Sequence, residues 1–407
     1  MSAGYTVRPV TEEEFAAFAT TTEAPFFEEV ADDRLERWRR ITELDRTLAV
    51  FDGDTIVGGS LLLRMRITIP GGEVAMGGLT AVGILPTHRR RGLLTKLMTR
   101  HLTDLREWEE PLSGLYAAEA PIYGRYGYGS AAPAITGKIA TAATAFRPEV
   151  PVETAAIRLV DVAEALADFP AIYEAVRAQR SGMPERREVY WRNWLGEDPT
   201  QWRGGMSHRY LARLGDRGYV VYRAKPGDWP GGLPDGTLAV MEHMAVDTSA
   251  AATLWRYVFD HDLITTVRVG ERPTDDVLPL LLRNPRALIG RPSDALWLRP
   301  VDVPGALAAR HYAVDGGVTL GVTDPFIADN TGSWALEGGP DGAQCRRTAA
   351  DPDLRLDVAD LGAAYLGAMR FERLVRAGRA EEFTPGAARR ADLMFWTDPA
   401  PWSPQEF

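Results

Sequence analysis

Leu93, Leu94, Leu97, Met98, His101, Leu102 and Leu105 fall on one stripe of a helix, a spacing that predicts a helix facing a core. Just before it, the apolar run Val82-Gly83-Ile84-Leu85 ends at Pro86, which withholds a ladder donor and closes a strand. The helix N-terminus is therefore held against a sheet. Upstream, the pattern predicts a strand near Tyr5 to Arg8, two helices, and strands around Thr47 to Phe51 and Thr55 to Arg66. Asp52-Gly53-Asp54 reads as a hairpin turn, and Pro70-Gly71-Gly72 as the turn into the strand before Pro86. This order of elements is mixed α/β.

From Ala140 to Thr154 the chain is rich in Ala, Thr and Pro without periodicity and reads as a connection. A strand and helix begin again at Ile157, and the layout repeats: strands at Arg209 to Leu214, Gly218 to Ala224 and Thr237 to Val246, then a helix from Ala250 to Phe259. A third region starts near Val301. It has a helix signal at Pro304 to Arg310, alternating strands through Tyr312 to Val322 and Gly332 to Glu337, and a helical stretch from Val358 to Val375. Domains of 1–148, 149–298 and 299–407 are expected, in line with a prior of roughly 150 residues per domain.

Composition narrows the function classes. The 407 residues carry a net charge of −10, with no second basic cluster interleaved with aromatics, so no nucleic-acid partner is expected. Acidic balance favours cationic substrates. The single cysteine, Cys345, forms no internal disulfide, and Met1-Ser2-Ala3-Gly4-Tyr5 lacks a signal segment, which points to the cytoplasm. No apolar run approaches the roughly 20 residues of a membrane span. The six histidines and one cysteine have no metal-ligand spacing, and no metal is expected.

The turn His88-Arg89-Arg90-Arg91-Gly92 carries the chemistry. Unpaired N–H groups and the dipole at a helix N-terminus stabilise an anion, the arginines add charge, and Gly92 lets a ligand approach the backbone. Gly83, inside an apolar strand, points to a bulge that frees backbone groups around Val82 and Ile84. A pyrophosphate with a pantetheine arm fits both features. A solvated basic turn is the plain alternative, whereas a Walker loop is excluded by the missing glycine and lysine.

Arg89-x-x-Gly92-x-Leu94 resembles the acetyl-CoA loop of the GCN5-related N-acetyltransferases (GNAT), with leucine in place of the usual small last residue. Tyr123-Gly124-Arg125-Tyr126-Gly127-Tyr128 is similar to that superfamily's Tyr-x-x-x-Gly-Phe/Tyr segment. With a C-terminus ending Glu406-Phe407, the combination resembles the Eis (enhanced intracellular survival) acetyltransferases over essentially the whole chain. The resemblance implies an α/β (α+β) chain of two tandem GNAT domains, the second degenerate, and a C-terminal domain like sterol carrier protein 2. It also implies a homo-oligomer, a hexamer in that family. In the central region Asp247-Thr248-Ser249 stands where the first domain has arginines; these residues can cap the helix themselves, and Asp247 would repel pyrophosphate. No cofactor is expected there.

Acetyl transfer to an amine needs a neutral amine aimed at the thioester, a stabilised oxyanion and a proton for the leaving thiolate. The resemblance assigns the acid to Tyr123, with Tyr126 and Tyr128 as neighbouring alternatives, and the base to the Phe407 terminal carboxylate. The stiff, aromatic tail Pro399-Ala400-Pro401-Trp402-Ser403-Pro404 favours a docked terminus. Val82, Gly83, Ile84, Arg89, Arg90, Arg91, Gly92 and Leu93 are expected to bind acetyl-CoA. Phe26, Glu28, Trp38 and Glu406 are expected to take a polyamine or lysine-bearing acceptor through carboxylate pairing and cation–π attraction. Tyr116 and Ala118 depart from the His and Ser common in the family, which bears on acceptor range. The alternative function is a CoA- or lipid-binding scaffold without turnover; lipid carriage is a lesser option because helically spaced apolar residues in the last domain serve a core.

Overall fold

In a computed structural model, which describes residues 4–154, 156–196 and 198–407, the chain divides into two compact units. The first comprises the chain up to Ala132, Ala295–Asp398 and Gln405–Phe407; the second comprises Pro133–Asp294 and Pro399–Pro404. The change of unit falls inside the strand Gly129–Ala140 and not in the Ala/Thr/Pro-rich stretch after it.

The first unit opens with β1 (Thr6–Arg8), α1 (Phe15–Glu23), α2 (Asp32–Ile41), β2 (Thr47–Asp52), β3 (Thr55–Ile69), β4 (Gly72–Ile84), α3 (Leu93–Glu107) and β5 (Leu112–Tyr116). Strands β1 to β4 form an antiparallel meander in chain order. Its turns follow the glycines: Gly53 and Gly71 adopt φ of 62° and 87°, conformations that cost other residues more. Strand β3 runs three residues past the Arg66 expected from the pattern, because Ile67 and Ile69 are still buried.

β5 lies parallel to β4, but the pairing covers only Met76 to Gly78 against Leu112 to Gly114. Beyond Gly78 the two strands part. α3 covers this region, burying Leu93, Leu97, Met98, His101, Leu102 and Leu105. Its five large apolar side chains contribute on the order of 10 kcal/mol of burial, enough to fix where the helix starts. Leu94 belongs to the expected stripe yet is only half-buried.

The rest of the first unit carries a five-stranded sheet in the order Gly342–Thr348, Gly332–Gly339, Gly316–Thr323, Leu354–Asp357, Ala380–Glu382. Val318, Leu320, Trp334, Leu356, Phe371 and Phe395 fill its core. The single helix expected over Val358 to Val375 is two, Val358–Ala364 and Phe371–Arg376. Gly367 separates them at φ 93°, where a Cβ would sit 2.5 Å from the Phe395 carbonyl oxygen.

The second unit repeats the essential layout. The strand Gly236–Ala245 pairs in parallel with Ile264–Pro273, and the helix Thr248–Phe259 connects them. Helix Val162–Arg177 and the strands Tyr210–Leu214 and Gly218–Lys225 complete its core.

Candidate active site

The parting of β4 from β5 opens a cleft of about 600 Å³ in the first unit. Val82, Gly83 and Ile84 line it from β4; His88, Arg89, Arg90, Gly92, Leu93, Leu94 and Thr95 from the turn and α3; Tyr123, Arg125 and Tyr126 from the segment after β5. That volume is within the range of small-molecule and cofactor sites.

The bulge expected at Gly83 lies upstream of it. Thr80 pairs with Leu61 and Gly83 with Gly59, so one extra β4 residue is accommodated between them, and Ala81 takes φ 52°. Gly83 has a different reason to be glycine: a Cβ there would lie 2.3 Å from the Thr22 carbonyl oxygen at the end of α1.

Gly92 is the N-cap of α3, at φ 75°, and no side chain among the described residues caps the helix. The first-turn N–H groups are thus open to a ligand. Arg89 and Arg90 are exposed beside them, as is Arg125, and none of the three has an ion-pair partner among the described residues. Arg91 does not line the cleft. Its guanidinium donates to the Tyr5 hydroxyl and, at 3.0 Å, to the Thr87 carbonyl. An uncapped helix start with three unpaired cations fits the phosphates of a CoA ester.

Tyr123 ends the short helix Ala120–Tyr123 and is buried in the core cluster that also holds Leu79, Met98, Leu102 and Leu105. Its hydroxyl makes no hydrogen bond among the described residues. Burial, and to a lesser degree Tyr128, Glu119 and Tyr126, pushes its pKa up to about 12. Tyr128 is instead committed to the core: its hydroxyl pairs at 2.7 Å with Ser113, which donates at 3.1 Å to the Gly77 carbonyl. Tyr126 pairs at 3.2 Å with the Thr95 hydroxyl. Of the three tyrosines, Tyr123 keeps its phenol free.

Phe407 packs on β4 and β5 where they separate. Its ring meets Tyr116 edge-on at 5.4 Å between centroids, and a Cβ on Gly78 would lie 3.0 Å from it. A Cβ on the preceding Gly77 would meet Leu105 of α3 instead. Successive strand residues point to opposite faces, so Phe407 lies on the face away from α3 and Tyr123 on the α3 face.

The four expected acceptor residues do not converge equally. Phe26 lines the cleft and is 44% exposed. Glu28 is bound to Arg34 at 3.2 Å, and Arg34 also pairs with Glu23. Trp38 packs, half-buried, with Val10, Phe15 and Phe18. Glu406 is exposed. Sequence reading missed Thr95, Glu119 and Arg125 as lining residues. Thr95 stands one turn beyond Gly92, a signal that was available; the other two depend on how the segment after β5 turns.

Among the described residues no group of three or more His, Cys, Asp or Glu could hold a metal ion, and no helix is long and apolar enough to cross a membrane.

A parallel strand pair that parts over a glycine-capped, arginine-flanked helix defines an acyltransferase of the GNAT class, whose members take an acyl group from acyl-CoA. Family comparison agrees: residues 6–131 and 182–299 each match an acetyltransferase (GNAT) domain, and residues 303–404 match a sterol carrier protein domain. The chain belongs to the Eis family of GCN5-related N-acetyltransferases and is an N-acetyltransferase. It is 31% identical to the N-acetyltransferase Eis of Mycobacterium tuberculosis over 95% of this chain and 96% of that one. An uncharacterized N-acetyltransferase of Streptomyces avermitilis is 40% identical over 93% of each chain. The crystal structure of Eis1 from Mycobacterium abscessus superposes with a TM-score of 0.86 at 34% identity, covering 99% of this chain and 100% of that one.

Proposed function

We propose that this enzyme transfers acetyl from acetyl-CoA to primary amines, of aminoglycoside-like polyamines or of lysine side chains, by direct attack in a ternary complex. One observation carries the reading: a cleft with unpaired arginines and a free buried phenol lies on one face of β4, and the chain's last residue is packed on the other face. Bound acetyl-CoA supplies the thioester. Arg89, Arg90, Gly92 and Leu93 hold its pyrophosphate, with Arg91 adding charge from behind, while backbone groups of Val82, Gly83 and Ile84 align the arm and face the developing oxyanion.

Tyr123 keeps its proton throughout the neutral range and delivers it to the leaving thiolate. The apolar wall that raises the phenol to about 12 raises a thiolate beside it as well, which makes the transfer reasonable. The Phe407 carboxylate takes the amine's proton. In water a terminal carboxylate is a weak base, at about 3.5, and it gains basicity as an acceptor desolvates it. Phe26, Glu28, Trp38 and Glu406 form the acceptor side, where Arg34 tempers the charge of Glu28.

The test is thiol release from acetyl-CoA with a panel of polyamines and lysine peptides. Release with at least one amine is expected, and Tyr123→Phe should lower kcat about 100-fold or more. Removal of Phe407 should cost a similar factor. No release with any amine would overturn the acceptor assignment, and full activity without Phe407 would remove the carboxylate from the mechanism.

A further inference from the structure

Arg299 is a fully buried arginine whose hydrogen bonds join two parts of the first unit. Its Nη2 lies 2.8 Å from both carboxylate oxygens of Asp324, its Nη1 donates to the Pro300 carbonyl at 2.7 Å, and its Nε donates to the Tyr126 carbonyl at 2.7 Å. Both members of the pair have side chains with no exposed surface. Asp324 is saturated in turn, accepting from the backbone N–H of Phe326 at 3.0 Å and of Ile327 at 3.1 Å and from the Asn330 amide at 2.9 Å.

Such a pair costs desolvation that apolar residues of the same size would avoid, so stability alone is a weak reason for it. What it holds is more informative. The Tyr126 carbonyl lies in the turn Gly124–Tyr126 that directly follows Tyr123, and Tyr126 itself lines the cleft. The Tyr126 ring is 5.2 Å from Phe326, the residue whose N–H binds Asp324. Gly127, at φ 86°, leaves no room to shift: a Cβ there would be 2.8 Å from Val358 and 2.9 Å from the Arg299 Nε.

We propose that Arg299 and Asp324 are positioning residues for acetyl transfer: from the sterol-carrier-like part of the unit, Asp324 orients Arg299, which holds the turn after Tyr123 so that the phenol stays aimed into the cleft. The inference rests on Tyr123 as the proton donor. It gives the C-terminal region a part in catalysis that needs no lipid. A positioning error of about 1 Å at a reacting group costs up to ~100-fold in rate.

The test is a cycle on the full-length enzyme, measured by thiol release. Replacing the pair by Arg299→Met with Asp324→Leu removes both charges and leaves no buried ion alone, and Arg299→Lys keeps a cation near Asp324 while losing the Nε donor. Both are expected to lower kcat about tenfold or more, with KM for acetyl-CoA changed less than about threefold. Adding Tyr123→Phe to either should cost nothing beyond Tyr123→Phe alone, because the brace acts through that residue. A folded variant with unaltered kcat, or losses that multiply when combined with Tyr123→Phe, would overturn the proposal. Full turnover in Tyr123→Phe alone would instead overturn the proton-donor reading.

Discussion

The two units build the same strand–turn–helix junction and give it opposite electrostatics. In the first, Gly92 caps α3 with no side chain, Arg89 and Arg90 stand unpaired, and the cleft reaches about 600 Å³. In the second, Asp247 caps the helix Thr248–Phe259, accepting from the Ala250 N–H at 2.9 Å and pairing with Arg217. The Ala250 N–H, followed by Arg217, holds its carboxyl below the ordinary range, so the second junction contains its own anion. Its cavity is about 210 Å³, and Pro399 and Trp402 from the tail form part of the wall. The Arg272 guanidinium lies over the Trp402 ring at 4.9 Å; the Trp402 indole N–H has no acceptor among the described residues, while its backbone N–H donates to the Ser181 carbonyl at 2.9 Å. Thus a duplicated fold keeps its packing while the charge at the junction changes, because the strand pair and the helix face need burial whether or not a ligand comes; the helix cap, the neighbouring arginines and the size of the cavity all differ between the two.

Reversing the first junction should break this contrast most sharply. Arg89→Asp with Arg90→Asp puts into the first unit the sign of charge that Asp247 brings to the other. Affinity for acetyl-CoA, measured by calorimetry, should fall about 100-fold or more at low salt and by less at high salt. Arg89→Ala with Arg90→Ala should cost about tenfold, near the roughly 1.5 kcal/mol of a charge-assisted contact. Unchanged affinity in both would reduce the turn to a surface feature.

Each unit also buries a neutral histidine, which gives a stability test of smaller size. Burial, then Arg46 and Arg100, lowers His101 to about 3; burial, then Arg272, lowers His243 to about 3 against an opposing Asp276. A depressed pKa contributes stability that is complete above the unfolded value of about 6.5 and is lost as pH falls toward 3. Each histidine should therefore steepen acid destabilisation by up to about 1.4 kcal/mol per pH unit. Urea titrations at pH 7 and pH 5 should show a flatter dependence in His101→Gln than in the parent, and equal slopes would contradict the buried neutral state.

The smallest effect belongs to the second junction. Asp247→Ala should cost about 1 kcal/mol of stability, the usual value of an N-cap, and leave turnover as it was. Loss of activity without loss of stability would mean that the second junction takes part in catalysis.

Much of the site was legible because its chemistry is local. A helix N-terminus, its glycine and its arginines lie within five consecutive residues, and Tyr123 follows one helix and one strand later. Arg91 escaped because a tripled arginine carries no mark of which member turns away; only the position of the Tyr5 hydroxyl decides that. Gly83 did mark a bulge, which lies just before it at Ala81 and Val82, but the glycine itself is required by the close approach of α1, and a sequence cannot tell the two demands apart. Glu28 and Trp38 satisfy the chemistry of an amine site, yet one is shared with Arg34 and the other is half-committed to a core.

The linear chain by itself determined the periodicities, the capping chemistry at Gly92 and Asp247, and the repeat of one layout, because each depends on neighbours a few residues apart. The tertiary structure alone decided where β4 leaves β5, that Phe407 meets Gly78 and Tyr116, and that Arg299 reaches Tyr126 and Asp324. Those contacts join residues from 25 to more than 300 positions apart. No local propensity encodes them; they exist because burying the faces of two sheets and their helices leaves few ways to pack the chain.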